Sequence, residues 1–405
     1  MTPAPRVLVT DAGRSSAIAI IRSLGRRGWH VVAADSNRRS PGFSSRYTAE
    51  RLLHPSPADA PEEVVEVILD AANRRGIDLI VPVTDELVLP LSAARHRFKG
   101  VATLAMADAD ALAEVSDKTA TLELAGALGV PVPSSALVST VEEAMAQAAG
   151  LGWPLVLKPQ ASRVYAEGGA VASFEVAYAG SPAELATEMA TFEGRCPVLL
   201  QEYCAGEGHG IELLLYEGRP LQAFQHRRLR EVPITGGASS FRESVALDPV
   251  LYDHAARLLG SLDWTGLAMV EFKVGPAGAR LMEVNGRIWG SLPLAVKAGM
   301  DFPRHMAELF LHGPPPEDVA LDTSYTVGVR SRNLPLDVIW IGSALRRRRR
   351  FPFVAQPARR EAVGVALSLL HPRGGFDVLV RDDIRPGLAE IAALAAKLRS
   401  KAARG

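Results

Sequence analysis

Apolar and amphipathic segments alternate through the first hundred residues of the chain. Apolar runs at residues 6–10, 29–34 and 77–83 are typical of buried strands, while the segment that ends at Arg27 and residues 61–75 and 86–97 show helical spacing. Strands that alternate with helices in this way indicate a parallel sheet. The pattern therefore predicts an α/β domain over residues 1–110.

The start of this domain has part of the outline of a dinucleotide-binding unit. Strand, turn, helix, strand and acid follow one another, and Asp35 is the acid. Gly13 alone stands in the first turn, however, where the dinucleotide fingerprint needs three glycines. We therefore expect this unit to be a scaffold or a substrate wall rather than a nucleotide site.

The pattern changes after residue 110. Helical spacing appears at residues 109–128, 140–150, 181–191, 248–261 and 291–311. Strands are predicted near 154–159, 170–179, 197–204, 210–217 and 221–227, with a hairpin over 266–285. Long antiparallel pairs with helices on one side predict an α+β body over residues 111–312. A Pro-rich linker begins at residue 312, and residues 313–405 predict a small, mixed α/β C-terminal region of unknown role.

Composition narrows the class of protein. The chain has 405 residues, of which 48% are hydrophobic and 22% charged, and its 45 basic and 45 acidic residues balance. This balance gives no field that would attract nucleic acid, and two cysteines, Cys196 and Cys204, fit a reducing compartment. The chain starts without the pattern of a signal peptide, and no apolar run approaches the ~20 residues that span a bilayer. We expect a cytoplasmic enzyme or binding protein with small-molecule partners, for which a homodimer is plausible.

Residues 282–291, MEVNGRIWGS, place three polar side chains on one face of a strand, because side chains alternate along a strand. These are Glu283, Asn285 and Arg287, and a turn at residues 275–278 would fold Glu271 back beside Glu283. Crowded carboxylates repel each other, so a positive charge must lie between them. Their hard oxygen ligands suit magnesium that phosphates also hold. A half-exposed hairpin with a surface ion pair is the alternative.

Two lysines and a glycine loop are candidate phosphate contacts. An apolar strand delivers Lys158, and Lys118 opens a helix, so each ammonium group could meet an anion, although for either residue alone a surface lysine is the favoured interpretation. The loop that contains Gly168 and Gly169 could offer backbone N–H groups to phosphates, or it could be a hairpin tip.

Two further segments have the chemistry of a substrate site. The strand at 198–204 ends in an acid and several glycines, so it could present backbone amides to adenine and a carboxylate to ribose. Basic residues at 226–230 precede a Gly-Gly-x-Ser loop at 236–239, which suits an anionic substrate or a developing acyl phosphate.

The order of these features resembles the ATP-grasp superfamily. The features are Lys118, Lys158, Gly168-Gly169, Gln201-Glu202-Tyr203, Gly236-Gly237, Glu271 and Glu283-Val284-Asn285. The segments QEYCAGEGHG, RRLREVPITGGASSFRES, VEFKV and MEVNGRIWGSLPLAVKAGMDFP are similar to the branch related to carbamoyl-phosphate synthase large-subunit domains. The resemblance covers residues 1–312 and implies a Rossmann-like pre-ATP-grasp domain, followed by an ATP-grasp domain whose two α+β subdomains clasp ATP.

This resemblance also implies a set of site residues. The implied nucleotide contacts are Lys118, Lys158, Gly168, Gly169, Glu202, Tyr203, Cys204, Glu207 and His209. The implied metal ligands are Glu271, Glu283 and Asn285, and the implied catalytic residues are Arg287, Arg228 and Ser239. Arg287 would face the reacting carboxylate, and the glycine loops at 236–237 and 168–169 would close over the site. The loop after Lys158 departs from the family, because SRVY stands at 162–165 where relatives often have more glycine.

The implied chemistry is ATP-dependent ligation. The γ-phosphate of ATP would pass to a carboxylate, and an amine or a thiol would attack the acyl phosphate, with release of ADP and phosphate. Magnesium, or manganese in its place, would be the metal cofactor. An ATP-binding regulatory protein without turnover is the alternative, although the retained acids, Asn285 and Arg287 argue against it.

Five arginines run from Arg346 to Arg350, after an apolar stretch. They could rest on anionic lipid, or they could be the basic C-terminal end of a solvated helix. We favour the helix end, because so short an apolar stretch makes a shallow membrane anchor.

Overall fold

The computed structural model describes residues 4–160, 163–165, 171–173, 176–346, 353–354, 356–371 and 375–402. Gly168, Gly169 and four of the five consecutive arginines, residues 347–350, lie outside the described residues. None of the helices in the described ranges is long and apolar enough to cross a membrane.

The N-terminal part is a five-stranded parallel sheet with helices against it, as the alternation of the sequence predicts. The strands are β1 (Arg6–Val9), β2 (His30–Asp35), β3 (Glu50–Leu53), β4 (Leu79–Val81) and β5 (Thr103–Leu104). Their order is β3-β2-β1-β4-β5. The helices are α1 (Ser15–Gly25), α2 (Pro61–Arg75) and α3 (Asp85–Ala93), and α3 follows β4 directly.

A pair of helices and a small antiparallel sheet follow. The helices are α4 (Ala109–Ser116) and α5 (Lys118–Ala127), where the sequence predicts one continuous helix. The break falls at Asp117, because its carboxylate caps α5 by accepting hydrogen bonds from the backbone N–H groups of Thr119 and Ala120.

The small sheet has four strands in the order β10-β7-β11-β6 and packs against two helices. The elements in this part of the chain are β6 (Ser135–Val138), α6 (Val141–Leu151), β7 (Leu155–Pro159), β8 (Arg163–Tyr165), β9 (Val171–Ser173), β10 (Ala177–Ala179), α7 (Pro182–Met189) and β11 (Val198–Glu202). Strands β8 and β9 pair with each other as a separate two-stranded sheet.

A six-stranded antiparallel sheet forms the large half of the body, in the order β16-β15-β12-β13-β14-β17. Its part of the chain contains β12 (Glu207–Tyr216), β13 (Arg219–Val232), β14 (Ala238–Ser244), α8 (Pro249–Gly260), β15 (Gly266–Gly275), β16 (Gly278–Asn285), α9 (Leu292–Ala298), α10 (Phe302–His312) and β17 (Arg330–Arg332). The sequence predicts β13 as a much shorter strand and misses β14, whose serines directly after Gly236-Gly237 are typical of a loop.

The C-terminal residues are joined to the rest of the molecule. They contain β17, α11 (Leu334–Arg346), α12 (Arg359–Ser368) and α13 (Arg385–Ala402). Strand β17 pairs with β14, so the large sheet extends past the linker at residue 312. The predicted α/β, α+β and mixed fold classes are confirmed, whereas the domain boundaries at residues 110 and 312 stay a prediction.

Three buried cations hold the segment at residues 375–383. Arg22 of α1 donates to Asp383 at 2.9 Å, Arg242 of β14 donates to Asp377 at 2.6 Å, and Lys297 of α9 donates to the carbonyl oxygen of Gly375 at 2.8 Å. The Arg22 and Arg242 pairs are almost fully shielded from water. Buried charges need such partners, because an unpaired ion in the interior is costly.

Candidate functional site

The hairpin of β15 and β16 brings two acids side by side. Glu271 pairs in register with Glu283, and Met269 pairs with Asn285, as the alternation and the glycine turn predict. The side-chain amide of Asn285 donates to Glu271 at 3.1 Å and to Glu283 at 3.2 Å. Both carboxylates and the amide therefore lie on one face of the large sheet.

The positive charge that these acids require comes from Arg228 of β13. Its guanidinium forms an ion pair with Glu271, and both side chains are about nine-tenths buried (10% and 12% exposed). Burial, together with the neighbouring Glu283 carboxylate, raises the pKa of Glu271 to about 7 against the opposing charge of Arg228. Arg228, which the sequence reasoning counted as catalytic, thus lies directly against a predicted metal ligand.

Glu231 and Lys273 are functional candidates that the sequence reasoning missed. Glu231 accepts from Arg228 at 3.3 Å and from Lys273 at 2.8 Å. Lys273 could have been found, because it lies two residues from Glu271 on the same strand. Glu231 could not, because irregular pairing between Arg228 and Glu231 changes the alternation of side chains along β13.

Two lysines approach the acids from the small half of the body. Lys158 of β7 lies close enough to Glu283 and Glu271 for their charges to support its ammonium, whereas burial lowers its pKa and Lys118 adds to the lowering. Lys118, at the start of α5, donates to the carbonyl oxygen of Pro159 at 3.3 Å. The structure therefore brings Lys158 within electrostatic reach of the acidic hairpin and places Lys118 close to Lys158.

The end of β11 carries the predicted adenine contacts. Glu202 accepts a hydrogen bond from the backbone N–H of Ser134 at 2.9 Å. This bond holds the end of β11, where the chain leaves the small sheet for the large one. The Tyr203 ring lies 5.1 Å from the ring of Phe353, so a C-terminal residue borders this region. Burial raises the pKa of the Cys204 thiol, and the Glu202 carboxylate adds to the rise, so Cys204 is a poor nucleophile here.

Glu207 and His209 are the candidates that the structure does not bring to the acids. Gly210 is the residue of β12 that pairs with Glu271, whereas His209 pairs with Phe272 and faces the other side of the sheet. There the His209 ring bonds Gln225 at 3.1 Å, and burial lowers its pKa. Glu207 is mostly exposed, 3.8 Å from His209. These two side chains thus lie on the face of β12 opposite the acids, and their predicted contact with the ribose stays a prediction.

Arg287 points from the hairpin toward the N-terminal sheet. Its Nε lies 2.8 Å from a carboxylate oxygen of Asp85, at the start of α3. Ser239 pairs in register with Glu231, and its hydroxyl donates to the carbonyl oxygen of Phe241 at 3.3 Å. These two predicted catalytic residues border the acidic cluster without bonding to it.

The glycine loop between β13 and β14 is packed against the C-terminal helices. Val232 and Ile234 lie against a cluster formed by Trp340 of α11 and Val365 of α12. Arg230 beside the loop donates to the buried Asp337 at 3.0 Å. Helices α11 and α12, to which the sequence assigns no role, therefore cover one side of the predicted lid.

The donor set fits a divalent cation that phosphates also hold. Glu271, Glu283 and Asn285 offer carboxylate and amide oxygens on one face, and the Asn285 amide can turn its Oδ1 toward a cation. Among the described residues, no group of three or more His, Cys, Asp or Glu side chains could hold a metal ion. A Mg²⁺ or Mn²⁺ ion at this site would therefore need phosphate oxygens as well.

Residues 195–332 match the family described as "ATP-grasp in the biosynthetic pathway with Ter operon". The chain is 28% identical to the carbamoyl phosphate synthase large chain of Thermomicrobium roseum over 291 residues, which cover 68% of this chain and 25% of that protein. The chain thus spans about a quarter of the length of this curated relative.

Solved structures share the fold. Biotin carboxylase from Campylobacter jejuni, described as a complex with β-γ-ATP, superposes with a TM-score of 0.63 at 16% identity, over 81% of this chain and 74% of that chain. The biotin carboxylase domain dimer of Hydrogenobacter thermophilus 2-oxoglutarate carboxylase, described with MgADP and bicarbonate, gives 0.60 at 20% identity, over 80% and 73%. At such identities these likenesses establish the architecture of the chain.

Proposed function

Because the chain belongs to the ATP-grasp superfamily, we propose that it is an ATP-dependent ligase that joins a carboxylate to an amine, or to a thiol, and releases ADP and phosphate. The observation that carries this proposal is the convergence of Glu271, Glu283 and Asn285 with the buried cations Arg228 and Lys158. Phosphoryl transfer mainly needs positioning and neutralisation of charge, which such a cluster provides.

The residues have distinct roles in this proposal. Lys118 and Lys158 bind the phosphates of ATP, and the segment from Glu202 to Cys204 holds the adenine. Glu271, Glu283 and Asn285 would hold Mg²⁺ or Mn²⁺, which when bound neutralises phosphate charge. Arg287 binds the reacting carboxylate at the edge of the N-terminal sheet. The substrate carboxylate replaces Asp85 as the ion-pair partner of Arg287.

The proposed reaction balances in two steps. A carboxylate oxygen of the substrate attacks the γ-phosphorus of ATP, and the bond to the β-phosphate oxygen breaks, which releases ADP. The amine nitrogen then attacks the acyl carbon, the C–O bond to phosphate breaks, and the amine loses a proton. Water must be excluded between the steps, because the acyl phosphate hydrolyses.

A screen of ADP formation over amino acids and small acids, with and without amines, tests this proposal. With the correct acid, hydroxylamine should trap a hydroxamate in an amount equal to the ADP formed. Formation of AMP and pyrophosphate would overturn the acyl-phosphate chemistry.

One observation favours a regulatory ATP-binding protein as the second candidate. The Arg228 guanidinium forms an ion pair with Glu271, so the protein itself supplies a counter-charge for this carboxylate. Equilibrium binding of ATP without ADP formation, across the whole screen, would favour this candidate.

We also propose a homodimer, supported by the description of the Hydrogenobacter thermophilus domain as a dimer. Light scattering during size-exclusion chromatography measures the mass directly, and a mass near that of one 43.3 kDa chain would exclude the dimer.

A further inference from the structure

Arg228 lies between two carboxylates on the same face of the large sheet. It forms an ion pair with Glu271, donates to Glu231 at 3.3 Å, and also donates to the carbonyl oxygen of Gly237 at 2.9 Å. The three charged side chains are each 10–14% exposed, so solvent screens their interaction weakly. Arg228 thus has two alternative anions within reach.

Two features position the Glu231 side chain: an ion pair with Lys273, and the room that Gly208 of β12 leaves for it. Its second oxygen accepts from Lys273 at 2.8 Å. A Cβ atom at Gly208 would lie 2.8 Å from Glu231 Oε1 and 2.9 Å from the Arg228 Cδ atom. The side chains of Arg228 and Glu231 can lie across β12 because Gly208 has no side chain. Any larger residue at position 208 would displace them.

A divalent cation at Glu271 and Glu283 changes the balance of charge. It would stand where the Arg228 guanidinium now neutralises Glu271, and two like charges near one carboxylate repel each other. Arg228 then needs another anion, because a buried cation without a partner is costly. Within the described part of the chain, Arg228 forms ion pairs with two carboxylates, Glu271 and Glu231, so Glu231 is the anion that remains for it.

We propose that Glu231 is a positioning residue that takes Arg228 from Glu271 when a divalent cation binds. This inference rests on the proposed function, because it concerns the same metal and phosphate site. The guanidinium keeps its bonds to Glu231 and Gly237 and gives up only its bond to Glu271. The Arg228 Nε, buried and without a hydrogen-bond partner in the described structure, is then free to turn toward a phosphate oxygen.

Direct measurement of Mn²⁺ binding tests the proposal without turnover. The full chain is titrated with Mn²⁺ in the presence of ADP, and free Mn²⁺ is followed by its electron paramagnetic resonance signal. Glu231→Gln should weaken Mn²⁺ binding about tenfold, because Arg228 then stays on Glu271. Arg228→Gln in the Glu231→Gln background should restore most of the loss, since the competing cation is gone.

A matched control and the contrary results complete the experiment. Glu123→Gln, which neutralises an exposed glutamate of α5, should bind Mn²⁺ as the wild type does. Normal binding by Glu231→Gln, or no recovery in the double variant, would overturn the role of Glu231 and leave the ligase proposal standing. No Mn²⁺ binding by the wild-type chain would overturn both, whereas Mn²⁺ binding with no ADP formation on any substrate would count against the ligase alone.

Discussion

Arg287, just after strand β16, and Asp85 of helix α3 form an ion pair with a 2.8 Å separation, across the junction between the large sheet and the N-terminal sheet. Arg287 is the residue expected to bind the reacting carboxylate, and in the structure a protein carboxylate is bound to it. Asp85 is mostly exposed (64%), so it can be displaced at little cost.

This pair gives a prediction about substrate binding. Arg287→Lys should lower kcat/KM for the carboxylate substrate at least ~10-fold, because a lysine cannot form the two-pronged contact of a guanidinium. Asp85→Asn should lower the KM for the same substrate, since it removes the competing anion. Steady-state kinetics with saturating ATP measure both, and equal losses in the two variants would show that the pair only joins the domains.

A second prediction concerns Glu283, a proposed metal ligand. Glu283→Gln removes a charge and little volume, so ADP formation should fall at least ~10²-fold while the fold is kept. ADP release gives the rate, and circular dichroism with thermal unfolding gives the integrity of the fold. Glu123→Gln on the exposed side of α5 is the control, and wild-type turnover by Glu283→Gln would refute the metal assignment.

The glycine loop supplies a third prediction. A Cβ atom at Gly237 would lie 2.5 Å from the carbonyl oxygen of Val232, so Gly237→Val must displace the loop that accepts from Arg228. We expect turnover to fall much more than ADP affinity, because the adenine region lies on other segments. Ala238→Val adds the same branched side chain at the next, exposed position and should be near wild type. Normal turnover by Gly237→Val would remove this loop from the mechanism.

Glu390 of α13 should make stability depend on pH. Burial, together with the nearby Asp377, raises the pKa of Glu390 from 4.5 to about 7 against the opposing charge of Arg22. Because its pKa is raised in the folded chain, Glu390 contributes to the free energy of unfolding when it is protonated. This contribution is fully present below the unfolded-state pKa and is lost as the pH rises through about 7. Glu390→Gln should therefore raise the melting temperature at pH 8, with an upper limit of about 3 kcal/mol in unfolding free energy.

The control for this prediction is the same variant at low pH. Near pH 4, Glu390 is protonated in the folded chain and mostly so in the unfolded chain, so the variant and the wild type should melt together. A stabilisation of equal size at both pH values would mean that the glutamine acts through packing and not through charge.

The sequence was informative wherever local periodicity decides structure. The pairing of Glu271 with Glu283 follows from two alternating strands and a glycine turn, and the structure has that register. The N-terminal sheet likewise follows from apolar runs at regular intervals. In both places the relevant neighbours lie close along the chain.

The sequence was uninformative where a local irregularity or a distant partner decides. The irregular pairing of β13 places Glu231 beside Arg228, and no spacing rule anticipates it. Conversely, His209 is near the adenine segment in sequence but faces the other side of the sheet. The helices that cover the loop between β13 and β14 come from residues far along the chain, which periodicity cannot place.

The clamp on residues 375–383 has a consequence for how the molecule loses its structure. Arg22, Lys297 and Arg242 belong to widely separated parts of the chain, and all three bond this one segment. Release of the segment would strand three buried cations at once, so α1, the large sheet and the segment cannot separate at low cost. We infer that calorimetry would record one cooperative transition for these parts, and that a truncated chain ending at residue 312 would be recovered as an unfolded or aggregated product.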